Sequence, residues 1–187
     1  MMKIIGLVGS PRKNGNTDVL LQKALEGAKA QGSETELFYL NDLAIRGCQA
    51  CYGCKTTGKC VVKDDLTEVF AAIDAADGVI LGSPVYFGRF TAQTALFMDR
   101  LYGYLKGDST SSLKPGKKFA LVFTQGQPDA SLYTSTIEAT ARVLTRIGFA
   151  AGSEPLVGSG LREIGIAREN EQLLQKAYAI GQELIAK

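Results

Sequence analysis

Two hydrophobic rhythms alternate along the chain: short unbroken apolar runs, and longer stretches in which apolar residues recur every three or four positions. Ile4, Ile5, Leu7 and Val8 make residues 3–9 a strand buried on both faces. Residues 17–31 then carry Leu20, Leu21, Ala24, Leu25 and Ala28 on one helical face, with Gly32 placed to end the helix. Residues 36–40 predict a second strand. Asp65, with Glu68 three positions on, predicts a helix opened by a capping box, and Leu66, Val69, Phe70 and Ile73 form its buried stripe. Further strands at 79–81 and 119–123 are each followed by a loop and a helix, at 91–105 and 132–147. A weaker strand at 149–157 leads into a helix carrying Leu173, Leu174, Ala177, Ile180, Leu184 and Ile185.

Strand and helix therefore alternate through five units. With right-handed crossovers this predicts an α/β fold: a doubly wound five-stranded parallel sheet with helices on both faces, binding ligands beyond the carboxyl ends of the strands. No repeat, low-complexity tract or linker divides the chain, so residues 1–187 read as a single domain. Residues 107–116, with Ser-Thr-Ser-Ser and Lys-Pro-Gly, read as a surface loop.

Composition narrows the chemistry. Histidine is absent, which excludes Ser-His-Asp, Cys-His and His-ligated metal mechanisms in their usual forms. A net charge of +2 on 187 residues gives no basis for a nucleic-acid or anionic-membrane surface. No apolar run approaches the roughly 18 residues of a membrane span, and the expectation is a cytoplasmic protein.

Three loops follow strands at the expected ligand edge. Gly9-Ser10-Pro11-Arg12-Lys13-Asn14-Gly15-Asn16-Thr17 joins a buried strand to a helix N-terminus, where free N–H groups, the hydroxyls of Ser10 and Thr17, the Asn16 amide and the Arg12 charge can meet one phosphate. The loop is neither a Walker A sequence nor a dinucleotide fingerprint, because its glycines and lysine do not fit those spacings. A tight turn with Thr17 as helix cap is the plainer alternative. Pro84-Val85-Tyr86-Phe87-Gly88 brings two adjacent aromatics to the same edge, suited to stacking on a flat ring or to packing over a helix. Thr124-Gln125-Gly126-Gln127 offers a hydroxyl, amides and backbone N–H groups, suited to a ring's polar edge. In this order the loops predict a mononucleotide with a large flat ring.

These residues resemble the flavodoxin-like NADPH-dependent FMN reductases, and within them the iron-sulfur flavoproteins. Gly9-Ser10-Pro11-Arg12 with Gly15-Asn16-Thr17 is similar to the family's FMN-phosphate loop, Ser83 to Gly88 to its second flavin loop, and Asp99-Arg100 to the pair ending its third helix. The resemblance implies that Ser10, Arg12, Asn16 and Thr17 hold the phosphate of FMN. It implies that Pro84, Val85, Tyr86, Phe87 and Gly88 flank the flavin, and that Thr124, Gln125, Gly126 and Gln127 lie near its ring. The family's lysine before Asp-Arg is missing: Thr94-Ala95-Leu96-Phe97 stands there.

All four cysteines fall between 47 and 61, as Cys48-x2-Cys51-x2-Cys54-x5-Cys60. So compact a run suits one [4Fe-4S] cluster, and its spacing is similar to that of the iron-sulfur flavoproteins; cluster-free, redox-sensitive thiols are the competing reading. Gly47, Gly53 and Gly58 are expected to let the backbone turn around a bound group.

The function expected is that of an FMN-dependent oxidoreductase or electron-transfer flavoprotein in which the flavin carries the chemistry and no side chain is catalytic. A cluster would couple it to one-electron donors of small-molecule or ferredoxin type. Without one, the reading is a NAD(P)H-dependent FMN or quinone reductase. A non-redox nucleotide-binding or signalling module is the alternative of another class. The resemblance also implies a homo-oligomer, a dimer or tetramer, and the apolar segment 97–104, with Tyr102 and Tyr104, is expected to exceed what one helix face buries.

Overall fold

The computed structural model describes residues 1–186. Its elements are β1 (Lys3–Val8), α1 (Asn16–Ala30), β2 (Glu34–Tyr39), a single turn α2 (Cys54–Thr57), α3 (Leu66–Ala75), β3 (Gly78–Pro84), α4 (Ala92–Arg100), β4 (Lys118–Thr124), α5 (Thr134–Arg146), β5 (Ala150–Ala151), β6 (Leu156–Gly158) and α6 (Glu171–Ile185). The strands pair in parallel in the order β2-β1-β3-β4-β5, with β6 also on β4. This is the doubly wound sheet that the alternating units predict.

Period-two alternation splits the core into two layers. Ile4, Val8, Ile80, Ala120 and Val122 face α1 and α6; Ile5, Leu7, Val79, Leu81, Phe119, Leu121 and Phe123 face α3, α4 and α5. Helices α1 and α6 cross at Gly27 and Gly181, where an added Cβ would lie 2.0 Å from the Tyr178 carbonyl oxygen and 1.8 Å from that of Ala24. Neither position has room for a side chain.

Three expectations change. The fifth strand is two pieces, because two extra residues bulge out between them: Phe119 is matched to Ala151 but Val122 to Leu156. The capping box at Asp65 does not form: its carboxylate accepts the Ala44 N–H at 2.7 Å, and Asp64 takes over the helix start by accepting from Leu66 N–H at 3.2 Å. The segment 97–104 does bury its apolar surface, since α4 continues into a tight 3-10 turn (Leu101–Tyr104) that turns Phe97, Leu101 and Tyr104 inward. Phe70 stacks on Phe97 and meets Tyr104 edge-on, at centroid separations of 6.1 and 5.9 Å, leaving Tyr102 as the exposed aromatic.

Candidate functional site

The loops after β1, β3 and β4 are laced together by backbone hydrogen bonds that extend the sheet beyond its strands. Gly9 N–H donates to Gly82 O, Val85 N–H to Thr124 O, and Gln125 N–H to Gly158 O, each at 2.8 Å. Gly9 is required by this closeness, because a Cβ there would sit 1.8 Å from Thr94 Oγ1. The result is one cleft lined by Ser10, Arg12, Asn16, Thr17, Pro84, Val85, Tyr86, Thr124, Gln125 and Gly126.

Helix α1 opens into this cleft. Its first helical hydrogen bond runs from Val19 N–H to Gly15 O, so the N–H groups of Asn16, Thr17 and Asp18 point out of its N-terminus. Ser10 is buried and its Oγ accepts the Arg12 N–H at 3.1 Å. Arg12 joins none of the ion pairs among the described residues, whereas Lys13 pairs with Asp42 at 2.6 Å. Asp18 holds the loop from below, accepting from Asn14 N–H at 2.6 Å, which fixes Asn14 in the left-handed region at φ 61°. Burial, together with the Asp18 charge, raises the pKa of Tyr39, whose hydroxyl donates to that carboxylate at 3.1 Å.

Two predicted phosphate ligands have other partners. The Thr17 hydroxyl meets the Thr124 hydroxyl at 2.6 Å, so the two share one donor–acceptor contact and Thr17 is not the helix cap; Gly15 occupies the cap position. The Asn16 side chain is taken up entirely: Nδ2 donates to Glu163 O at 2.8 Å and Leu161 O at 3.3 Å, and Oδ1 accepts from Ala167 N–H at 3.0 Å. Its amide therefore positions the chain, and only its backbone N–H remains for an anion. That clamp brings Leu161, Arg162 and Ile164 into the cleft as a fourth wall, which the sequence reading missed. The rule that ligands sit beyond strand ends, applied to Gly158-Ser159-Gly160-Leu161-Arg162 after the last strand, would have found it.

Of the predicted ring-side residues, Phe87, Gly88 and Gln127 do not line the cleft. Phe87 sits at φ 50° at the tip of a turn closed by Tyr86 and Arg89, and it is fully exposed. Gly88 anchors that turn to α5 through a 2.6 Å bond from the Thr136 hydroxyl. Gln127 contributes only its carbonyl, which accepts from Gly160 N–H at 2.8 Å. Gln125 is the informative residue. Its Nε2 donates to Asp129 O at 2.6 Å, which orients the amide, and its Oε1 is buried with no hydrogen-bond partner among the described residues. A buried acceptor without a donor, on the wall of this cleft, fits the N–H edge of a bound ring.

The cysteines line a second, smaller cavity. Cys48, Cys51, Cys54 and Cys60 all border one small recess, together with Tyr52, Val61, Val62, Arg100, Tyr102 and Gly103. All four are free thiols. Among the described residues no group of three or more His, Cys, Asp or Glu side chains converges tightly enough for a single metal ion. The four thiols that border this recess are the side chains that would have to hold any cubane cluster. Backbone turning here follows only one of the three expected glycines, Gly58. Ala50 and Tyr52 take the left-handed conformation at φ 48° and 58°, with Gly58 at 69°. Gly53 instead makes room for Val61, whose Cγ2 would lie 2.7 Å from an added Cβ, and Gly47 lies against Leu96.

Arg100 ties this region to α4. Its guanidinium is buried and donates to Asp64 Oδ2 at 2.7 Å, to Arg46 O at 2.9 Å, to Val62 O at 3.0 Å and, through Nε, to Cys60 Sγ at 3.0 Å. Burial opposes the Asp64 charge, but bonds from Arg100 and from the N–H groups of Arg46 and Leu66 outweigh it and hold the pKa below the ordinary carboxylate value.

Comparison with known proteins agrees with this arrangement. The family model described as NADPH-dependent FMN reductase matches residues 2–139. The chain belongs to that family. It groups with the iron-sulfur flavoproteins: one from Archaeoglobus fulgidus is 32% identical over 98% of this chain and 79% of its own length. Another, from Methanocaldococcus jannaschii, is 48% identical over 53% of this chain and 51% of its own length, so the chain spans about half the length of some curated relatives it matches. The fold is that of the NAD(P)H:quinone oxidoreductase from Methanothermobacter marburgensis, with a TM-score of 0.78 at 18% identity over 100% of this chain and 98% of that one. Among the described residues no helix is long and apolar enough to cross a membrane.

Proposed function

We propose that this flavoprotein holds FMN in the cleft beyond β1, β3 and β4 and a [4Fe-4S] cluster between its four cysteines, and passes electrons between them. What carries the flavin reading is the single cleft that combines free helix N–H groups, the unpaired Arg12 and the partnerless Gln125 Oε1. Ser10, Arg12 and the N–H groups of Asn16 and Thr17 would hold the phosphate; Pro84, Val85 and Tyr86 would lie along the ring, and Thr124, Gln125 and Gly126 at its edge. Bound FMN supplies interconversion of one- and two-electron chemistry, and the protein supplies position and a polar edge. The cluster reading is supported by four thiols on one cavity and by the names of the relatives.

Two features support a homo-oligomer. Phe87 is fully exposed, and an apolar groove between α4 and α5, lined by Phe90, Met98, Tyr102, Leu105, Val143 and Ile147, reaches Cys48. A NAD(P)H-dependent reductase working without a cluster is the second reading, favoured by the family name itself. Anaerobic purification followed by flavin, iron and acid-labile sulfide analysis, with spectra before and after dithionite, separates the two. FMN with matched iron and sulfide, both lost together in each Cys→Ser variant, is expected. FMN alone after attempted reconstitution would leave the cluster-free reductase, and neither would remove both readings.

A further inference from the structure

The four cysteines are not equivalent. Cys60 Sγ receives an N–H from a buried, positively charged guanidinium at 3.0 Å. Among the described residues Cys48, Cys51 and Cys54 accept no hydrogen bond from a cationic side chain. Cys60 is also held tightly at its backbone: an added Cβ on Gly103 would lie 2.9 Å from its nitrogen, so the 3-10 turn after α4 is pressed against it. Together with Val62, Arg100 and Gly103, Cys60 forms the partition between the cysteine cavity and another cleft along α3, which Lys59, Phe70 and Tyr104 also line.

Resting on the cluster reading above, we propose that Arg100 is a positioning residue that raises the reduction potential of the cluster through Cys60 and makes Cys60 its electronically distinct corner. A single electron taken from an external one-electron donor adds one negative charge to the iron-sulfur core and its thiolates, with no bond broken and no proton moved. Hydrogen bonds and positive charge at a ligand sulfur stabilise that added charge, and here both come from a guanidinium that is itself buried. Asp64 works in opposition. It binds the far side of the same guanidinium and offsets part of its charge, so the pair sets the potential between two limits.

The opposed signs provide the test. Wild type, Arg100→Gln and Asp64→Asn are prepared anaerobically, shown to carry equal iron and sulfide, and titrated with dithionite while the reduced cluster is followed by electron paramagnetic resonance. Arg100→Gln should make reduction about tenfold less favourable, a downward shift of about 59 mV for one electron, while Asp64→Asn shifts it upward. The flavin couple serves as the internal control and should stay where it is. A residue that merely held the loop together would move both variants in one direction. Should Arg100→Gln fail to fold, the double variant Asp64→Asn/Arg100→Gln buries no unpaired charge; it should still shift downward, because the group lost at the sulfur is nearer than the carboxylate. Unmoved potentials in loaded variants, or a downward shift in Asp64→Asn, would overturn the proposal alone. Wild-type protein without iron would overturn the cluster and the proposal together.

Discussion

Thr17 and Thr124, both buried at the wall of the cleft, join their hydroxyls at 2.6 Å and so lock the first turn of α1 to the end of β4. The loop that would hold a phosphate and the loop that would meet a ring are thereby one rigid body. Thr17→Val keeps the shape but strands the Thr124 hydroxyl, which should cost about 1–3 kcal/mol in a denaturant titration. Adding Thr124→Val should recover part of that loss, since two apolar groups then meet. Strict additivity of the two changes would show that the hydroxyls do not depend on each other.

Asn16→Ala removes three bonds to the 161–167 segment at once. Hydrogen exchange at 161–167 should accelerate, and FMN should bind roughly tenfold more weakly because the fourth wall is no longer pinned. Faster exchange with unchanged affinity would mean that Leu161, Arg162 and Ile164 border the cleft without serving it.

Arg12 lines the cleft without an ion-pair partner among the described residues, so it is the side chain best able to answer a phosphate. Removing such a contact costs about 1.5–3 kcal/mol, so Arg12→Ala should weaken FMN tenfold or more and leave riboflavin nearly unchanged. Isothermal titration with both ligands measures this, and equal losses would place the phosphate elsewhere.

The Asp64–Arg100 pair predicts an acid limb. Asp64 has a native pKa below its unfolded value of about 3.9, so its contribution is complete above that value and disappears as the pH falls through the lower native one. Asp64→Asn should lose roughly 3–5 kcal/mol at neutral pH by leaving a buried guanidinium without its counter-charge. It should also show a shallower fall in stability below about pH 4. An unchanged acid slope in chemical denaturation would show that other carboxylates set it.

The architecture was legible because the central strands β1, β3 and β4 are rich in consecutive apolar residues and the long helices keep one periodic face, and both signals are local. Leu20, Leu21, Ala24 and Ala28 are buried where their spacing puts them, and so are Ile4, Ile5, Leu7 and Val8. What failed needed knowledge of partners distant in sequence. Asp65 satisfies the capping pattern, but Ala44 competes for its carboxylate. Asn16 reads as a free amide until Leu161, Glu163 and Ala167 are brought beside it. The role of Arg100 was hidden for the same reason, because nothing in a single run of residues reveals a guanidinium reaching Cys60, 40 positions earlier.

The Asn16 clamp also sets an order of events during synthesis. Strand β1 and its loop leave the ribosome well before the carbonyls and the N–H that hold Asn16, which lie 145 to 151 residues later. Closing so long a loop of chain comes late in folding. A nascent chain with only its N-terminal half released has the turn for an anion but not the wall that completes the cleft, and tight cofactor capture waits until the chain beyond residue 167 is free to fold back.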